Sequence, residues 1–181
     1  MTIDRRPPLV ESRLDSEPRA FDIRPVDASD HAAILALNNE HAVELSLADP
    51  STMAGLLSAA ALATAIGPVG SPDAFLIAFD QSTPPQGPNH AWFLARHARF
   101  LYVDRVCVAP SARKRGLARA LYLDLLAVAP RRGAPIVCCE VNTDPPNPVS
   151  DAFHASLGFR EIGRAFLADR SKAVRYLERE A

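Results

Sequence analysis

The sequence predicts a single α/β domain, and three observations support this fold class. The chain has 181 residues, which suits one compact domain. Along it, short apolar runs typical of strands alternate with segments whose apolar residues recur at helical spacing. No internal repeat or low-complexity linker divides it. We therefore expect a flexible N-terminal arm over residues 1–19, which are polar and rich in proline, followed by one domain over residues 20–181.

The first half of the domain should contain three strands and two helices. Alternating apolar residues predict a strand at 21–24, ended by a proline. A Ser-Asp cap opens a predicted helix at about 30–39, and a second helix is predicted from about residue 50 to 66, where Gly-Pro ends it. A buried strand is predicted at 74–79, with a hairpin partner at 92–94 after a proline-bearing turn.

The second half continues the alternation of strands and helices. Apolar runs predict strands at 100–108 and 136–141, separated by a helix at 118–128 that ends before Pro130. A short helix is predicted at 149–157. Two final strands are predicted at 159–162 and 173–177, which brings the number of strands to seven.

Composition excludes several classes of protein. With 48% hydrophobic and 23% charged residues the chain is typical of an ordinary globular protein. A net charge of −1 and only 7% aromatic residues argue against nucleic acid as a partner. The longest apolar stretch, 54–66, is too short to cross a bilayer, so no membrane partner is expected. Three cysteines without a CxxC pair predict neither disulfides nor a metal site and suit a reducing cytoplasm.

The charge is divided unevenly along the chain. Residues 1–89 carry 5 Arg and 12 acidic residues, whereas residues 90–181 carry 15 basic and 9 acidic residues. The two halves are therefore expected to meet different chemical partners. An anionic ligand would suit the second half, and a cationic one the first.

One basic turn between a strand and a helix is typical of a phosphate site. It runs from Val106 to Ala118 and contains three consecutive basic residues before Gly116. Backbone N–H groups at a helix start, together with the helix dipole, favour an anion there. A solvated turn is the alternative interpretation. Neither a Walker motif nor a GxGxxG fingerprint is present, which argues against common nucleotide-binding classes.

The spacing Arg113-x-x-Gly116-x-Ala118 resembles the acetyl-CoA pyrophosphate loop of the GNAT acyltransferase superfamily. Glu140-Val141, Asn147 and the segment 153–159 are similar to a second block of that family. The resemblance implies a mixed central sheet of about six to seven strands with helices on both faces. It also implies acetyl-CoA as co-substrate and a primary amine as acceptor.

The same resemblance assigns cofactor-binding roles. The strand around Cys107 would pair with the pantetheine arm, and the loop before the next helix would hold the pyrophosphate. The residues implied are Val106, Cys107, Val108, Arg113, Lys114, Arg115, Gly116, Leu117, Ala118 and Asn147.

Three side chains are candidates for the proton transfers. Glu140 is the leading general base, because it is the one carboxylate in an otherwise apolar strand; an exposed glutamate paired with an arginine is the alternative. Asp104 is a second candidate base, or a partner of Arg105. His154 is the candidate general acid because it stands where the family has a tyrosine; a histidine packed on the inner face of its helix is the alternative.

The acceptor site is less defined. The resemblance locates it at the first helices, where Asn38, Asn39, Glu40 and Glu44 would contact the acceptor; helix termination explains them otherwise. The sequence therefore predicts an acetyl-CoA-dependent N-acetyltransferase, with a non-catalytic acyl-CoA-binding sensor of the same fold as the alternative. Neither predicted mechanism requires a metal, and a homodimer is compatible with the family.

Overall fold

The computed structural model describes residues 21–168 and 171–181, and it contains a seven-stranded mixed sheet flanked by helices. The sheet order is β1-β2-β3-β4-β5-β7-β6, antiparallel except for the β4–β5 pair. The strands are β1 Ile23–Pro25, β2 Leu62–Ile66, β3 Ala74–Asp80, β4 Leu101–Val108, β5 Ile136–Asp144, β6 Arg160–Leu167 and β7 Lys172–Glu180. The α-helices are α1 His31–Glu40, α2 Ala42–Leu45, α3 Pro50–Ala59, α4 Pro88–Leu94, α5 Leu117–Val128 and α6 Pro148–Ser156.

Strand β3 separates two hydrophobic clusters. Its alternate side chains point to opposite faces, so Leu76 packs with α5 and α6 while Phe75 packs with α1, α3 and α4. Every residue of β3 before its last is buried, as expected for a central strand covered on both faces. The predicted α/β fold, with helices on both faces of a mixed sheet, is confirmed.

The expectation that a helix extends to residue 66 is wrong. Helix α3 ends at Ala59, and residues 62–66 form β2 between β1 and β3. Alanine has the highest helix propensity, but the strand pairing on both sides of β2 outweighs that local preference. Leu62, Thr64 and Ile66 alternate with alanines, which is the period-two signal for a strand.

The predicted hairpin strand at 92–94 is also wrong, because these residues belong to helix α4. Gly87, with φ +139°, precedes Pro88 at the first helical position, where the missing N–H of proline costs nothing. His90 and Phe93 are buried one helical turn apart. The aromatic run that resembled a strand is therefore the buried face of a short helix.

The remaining elements agree with the predictions apart from their ends. The first strand includes Pro25, which is tolerated because β1 lies at the edge of the sheet. The last three strands are longer than predicted, and the four-residue helix α2 was not predicted. The proposed arm at 1–19 lies outside the described residues. None of the helices in residues 21–168 and 171–181 is long and apolar enough to span a membrane.

Strands β4 and β5 diverge, and this divergence positions the site. They pair in parallel only between Leu101–Val103 and Val137–Cys139. Beyond that point Asp104 is an extra residue in β4, because Ile77 pairs with Arg105 and Ala78 with Val103. A bulge of this kind bends the strand and redirects its side chain. A cleft therefore opens between the two strands immediately after Asp104 and Glu140.

Candidate active site

A cavity of ≈ 450 Å³ occupies the cleft between the diverging strands. It is bounded by β4, β5, the first two turns of α5 and α6, and His41 and Leu45 at the two ends of α2. Nine of the predicted catalytic and cofactor-binding residues line this cavity: Asp104, Val106, Cys107, Val108, Arg113, Ala118, Glu140, Asn147 and His154. Residues separated by up to 50 positions in the sequence are thus brought to one surface.

The basic turn lies at the start of α5. Gly116 caps this helix in the left-handed conformation, with φ +90°, and no side chain caps the free N–H groups that follow it. A Cβ added at Gly116 would meet no atom within 4 Å, so the space above the turn is open. Lys114 and Arg115 are exposed and do not line the cavity, whereas Leu117 is buried in the core beneath it.

Two predicted cofactor-binding side chains make contacts within the chain. The guanidinium of Arg113 lies 3.0 Å from Nε2 of His41, so it joins the basic turn to the end of α1. Asn147 caps α6, because its Oδ1 accepts from the N–H of Ser150 at 3.1 Å. Cys107 is buried, and all three cysteines are free of disulfides.

A second, polar cavity of only ≈ 40 Å³ adjoins the first. The two cavities share Leu45, Asp104, Glu140 and Asn142 in their walls. The smaller one is otherwise bounded by α4, the loop after α2 and the start of β7. The carboxylates of Asp104 and Glu140 therefore stand where a large cavity meets a small polar one.

Glu140 is held mostly out of water. Its Oε1 accepts a hydrogen bond from Nδ2 of Asn89 at 2.7 Å, and its Oε2 is buried without a hydrogen-bond donor in the described part of the chain. Burial, and next the like charge of Asp104, raise the pKa of Glu140 to about 7; the hydroxyl of Tyr102 and the amide of Asn89 partly oppose this shift. A carboxylate near half-ionisation at neutral pH is suited to accept a proton.

Asp104 has a different environment. Its Oδ2 lies 3.0 Å from Nε of Arg105, which is the ion pair that the sequence offered as the alternative to a catalytic role. Arg105 also donates to Oδ1 of Asn38 at 2.5 Å and to the carbonyl of Leu45 at 2.7 Å. Asp104 is thus tied to the arginine that holds the end of α2, whereas Glu140 has no cation beside it among the ion pairs of the described residues.

His154 is buried against Tyr122 in the wall of the larger cavity. Its Nδ1 lies 2.8 Å from the carbonyl of Ser150, which can only accept, so Nδ1 carries the proton. In the neutral ring Nε2 then accepts from the hydroxyl of Tyr122, at 2.9 Å. Burial lowers the pKa of His154, so the neutral form predominates at pH 7.

Of the residues predicted to contact the acceptor, Asn38, Asn39 and Glu40 line neither cavity. Asn38 is fully buried and donates to the carbonyl of Ser46, and Asn39 bonds both the N–H and the carbonyl of Ala48. Both asparagines therefore hold the loop after α2. Glu40 is exposed at the end of that helix. The side chain of Glu44 lies outside what the structure describes.

Three residues that line the small cavity, and a fourth that contacts one of them, were missed by the sequence reasoning. Asn89 and His90 come from α4, Tyr102 from β4 and Tyr176 from β7. The ring of His90 stacks on Tyr102, and the hydroxyl of Tyr176 donates to Oδ1 of Asn89 at 3.1 Å. The Gly-Pro start of α4 was the available signal, since it would have placed residues 89 and 90 in a first helical turn.

A family model described as the acetyltransferase (GNAT) family matches residues 76–159, which include β4, the basic turn, α5, β5 and α6. This stretch of the chain is a GNAT acetyltransferase domain. Acetyl-CoA is the acyl donor of this family, and this GNAT enzyme is an acyltransferase. No curated protein matches the sequence significantly.

Solved structures share the fold of this GNAT protein at low sequence identity. The ribosomal-protein-alanine N-acetyltransferase from Brucella melitensis is 22% identical, with a TM-score of 0.64 over 88% of this chain and 99% of that one. NAA60 from Arabidopsis thaliana, solved with acetyl-CoA, is 14% identical, with a TM-score of 0.69 over 90% and 100%. The ribosomal-protein-S18-alanine N-acetyltransferase from Escherichia coli is 19% identical, with a TM-score of 0.63 over 86% and 90%.

Proposed function

We propose that the protein transfers the acetyl group of acetyl-CoA to a primary amine by direct attack, with Glu140 as the general base. One observation carries this proposal: a buried carboxylate with a raised pKa and one oxygen without a donor stands between a large cavity and a small polar one. Similar solved structures named as N-acetyltransferases support an amine acceptor.

The larger cavity is the proposed site of acetyl-CoA. Its volume suits the pantetheine arm, and the open N-terminus of α5 suits the pyrophosphate. Arg113, Lys114 and Arg115 would supply positive charge, and the backbone around Cys107 would pair with the pantetheine amides. The amide Nδ2 of Asn147 remains available for the pantetheine, since its Oδ1 is used in capping α6.

The small cavity is the proposed site of the amine. With ≈ 40 Å³ it has room for the reacting nitrogen but not for the body of an acceptor, which would lie outside. The amine attacks the thioester carbonyl carbon, a C–N bond forms and the C–S bond breaks. Glu140 takes one proton from the nitrogen through Oε2, directly or through water, and the CoA thiolate leaves.

His154 is the proposed proton donor to the thiolate. In its imidazolium form Nε2 would donate to the oxygen of Tyr122, whose own O–H proton would pass to sulfur, which leaves neutral His154 and CoA thiol. Only part of the enzyme carries this imidazolium at pH 7, because burial lowers the pKa of His154. A lower pH favours the protonated form that the donor needs, whereas a higher pH favours the ionised form that the base needs.

Release of free thiol from acetyl-CoA, measured with a panel of small amines, amino acids and peptides with free N-termini, tests the proposed function. We expect thiol release with at least one class of primary amine and none with the matching N-acetylated acceptor. CoA binding without thiol release for any acceptor would overturn the proposal and identify a binding module.

A further inference from the structure

Helix α4 supplies a side chain directly behind the proposed base. Asn89, the second residue of α4, is 7% exposed and donates from Nδ2 to Oε1 of Glu140 at 2.7 Å. A hydrogen bond to an ionised carboxylate is stronger than one between neutral groups. Asn89 therefore favours the charged form of Glu140 and fixes one of its two oxygens.

The orientation of Asn89 is itself determined. The hydroxyl of Tyr176 donates to its Oδ1 at 3.1 Å, inside the protein. An ionised carboxylate can only accept, so the amide nitrogen must face Glu140 and the amide oxygen must face Tyr176. The two hydrogen bonds support a single orientation of the amide.

Tyr176 is in turn held by packing. It pairs with Glu140 across β7 and β5, and its ring stacks on Trp92 with centroids 4.0 Å apart. Gly163 leaves the space that Trp92 occupies, because a Cβ there would approach Cζ2 of the indole to 2.6 Å. A row of contacts therefore runs from β6 through Trp92, Tyr176 and Asn89 to Glu140.

The other groups that act on the charge of Glu140 come from β4, β5 and β7. Asp104 on β4 disfavours the charged form of Glu140, and Tyr102 on the same strand favours it. Burial raises the pKa of the thiols of Cys138 and Cys139, which precede it on β5, and of Tyr176, which faces it from β7, and the charge of Glu140 adds to each of these shifts. Asn89 makes the 2.7 Å hydrogen bond to the carboxylate, so replacing it should change the pKa of Glu140 directly.

We infer that Asn89 is a positioning residue for Glu140, held in place by Tyr176, and that it leaves Oε2 as the oxygen that accepts the proton from the acceptor. This inference rests on the proposed role of Glu140 as the base. It assigns α4 a part in the reaction through the carboxylate of Glu140.

The direct test is the titration of Glu140 by NMR in protein labelled with ¹³C at the glutamate side-chain carboxyl carbon. The Glu140 signal is assigned from its absence in Glu140→Gln. We expect Asn89→Ala to raise the pKa of Glu140 by about one unit, since a hydrogen bond to the charged form is lost. Tyr176→Phe, which keeps the ring on Trp92, should raise it by less. An unchanged titration in both variants overturns the inference.

Thr83→Val is the matched control. Thr83 is also buried, bonds the carbonyl of Ala59 and lines neither cavity, so its loss should leave the Glu140 titration unchanged. If the pKa of Glu140 shifts as much in Thr83→Val as in Asn89→Ala, the shift comes from a general loss of packing, and the inference is overturned.

Thiol release separates the inference from the proposed function. In Asn89→Ala the rate should fall about fivefold at pH 7 and recover towards wild type at pH 9, where the base is ionised in both proteins. An equal loss at both pH values would contradict the inference. If Glu140→Gln keeps full activity, the proposed base is wrong, whereas the NMR shift caused by Asn89→Ala would be unaffected.

Discussion

Glu140 is a carboxyl group that the fold buries and that the proposed reaction needs in its charged form. Burial and Asp104 favour the protonated form, and the hydrogen bonds from Asn89 and Tyr102 compensate in part. Because the folded state holds this proton up to about pH 7, while the unfolded chain releases it near pH 4.5, ionisation costs folding free energy. Stability is thus lowered at the residue on which the proposed activity depends.

Glu140→Gln should therefore stabilise the protein in a pH-dependent way. Glutamine imitates the protonated acid, so the variant and the wild type should be similar near pH 4.5. The variant should gain up to about 3 kcal/mol in free energy of unfolding as the pH rises through 7. Urea unfolding at several pH values measures this. Glu161→Gln is the control: Arg164 lowers the pKa of Glu161, so any effect should have the opposite sign.

His154 gives a second prediction at this scale. If its imidazolium donates the proton to sulfur, kcat plotted against pH should be bell-shaped, because Glu140 must be ionised and His154 protonated in the same molecule. His154→Phe should remove the descending limb and lower kcat. The same rate and the same profile in this variant would exclude His154 from the reaction.

At the scale of elements, site residues could be predicted from the sequence where a single segment contains the whole motif. They could not be predicted where residues from several elements come together. The strand–turn–helix around Gly116 and the carboxylate in β5 were found, because each lies within one short run of sequence. Asn89 was missed, since its partner is 51 positions away and the turn before it was interpreted as part of a hairpin. Strand β2 was missed because its pairing partners, rather than its alanines, determine its conformation.

The turn before α5 yields a prediction with an internal control. Gly116→Ala forces a Cβ into the left-handed conformation, which should cost about 1 kcal/mol of stability and weaken CoA binding several-fold. Gly55→Ala, at an exposed position within α3 where nothing lies within 4 Å of the new Cβ, should instead add about 0.5–1 kcal/mol. Calorimetric titration with CoA should show weaker binding for the first variant only.

At the scale of the whole molecule, the uneven charge has a different distribution from the one predicted. The basic turn does lie in the positive second half, but so do Asp104 and Glu140, the two carboxylates at the small cavity. Glu40, from the acidic half, is exposed and lines neither cavity. The sheet brings both signs of charge to one cleft, and a count along the sequence does not reveal that convergence.

The cleft also makes a prediction about ligand-linked stability. CoA and acetyl-CoA should raise the melting temperature, because a ligand that binds only the folded state stabilises it by mass action. ATP and NAD carry phosphates but no pantetheine arm to fill the ≈ 450 Å³ cavity, so they should raise it much less. Equal stabilisation by all four would indicate a phosphate site without specificity for CoA.

The measurement that tests the account most directly is thiol release by wild type and Glu140→Gln with the same acceptor, across pH 5 to 9, alongside CoA affinity. We predict that the variant loses about 100-fold or more in kcat/KM and also the ascending limb of the pH profile, while CoA affinity is unchanged. Equal rates and the same limb in both proteins would contradict the assignment of Glu140 as the base.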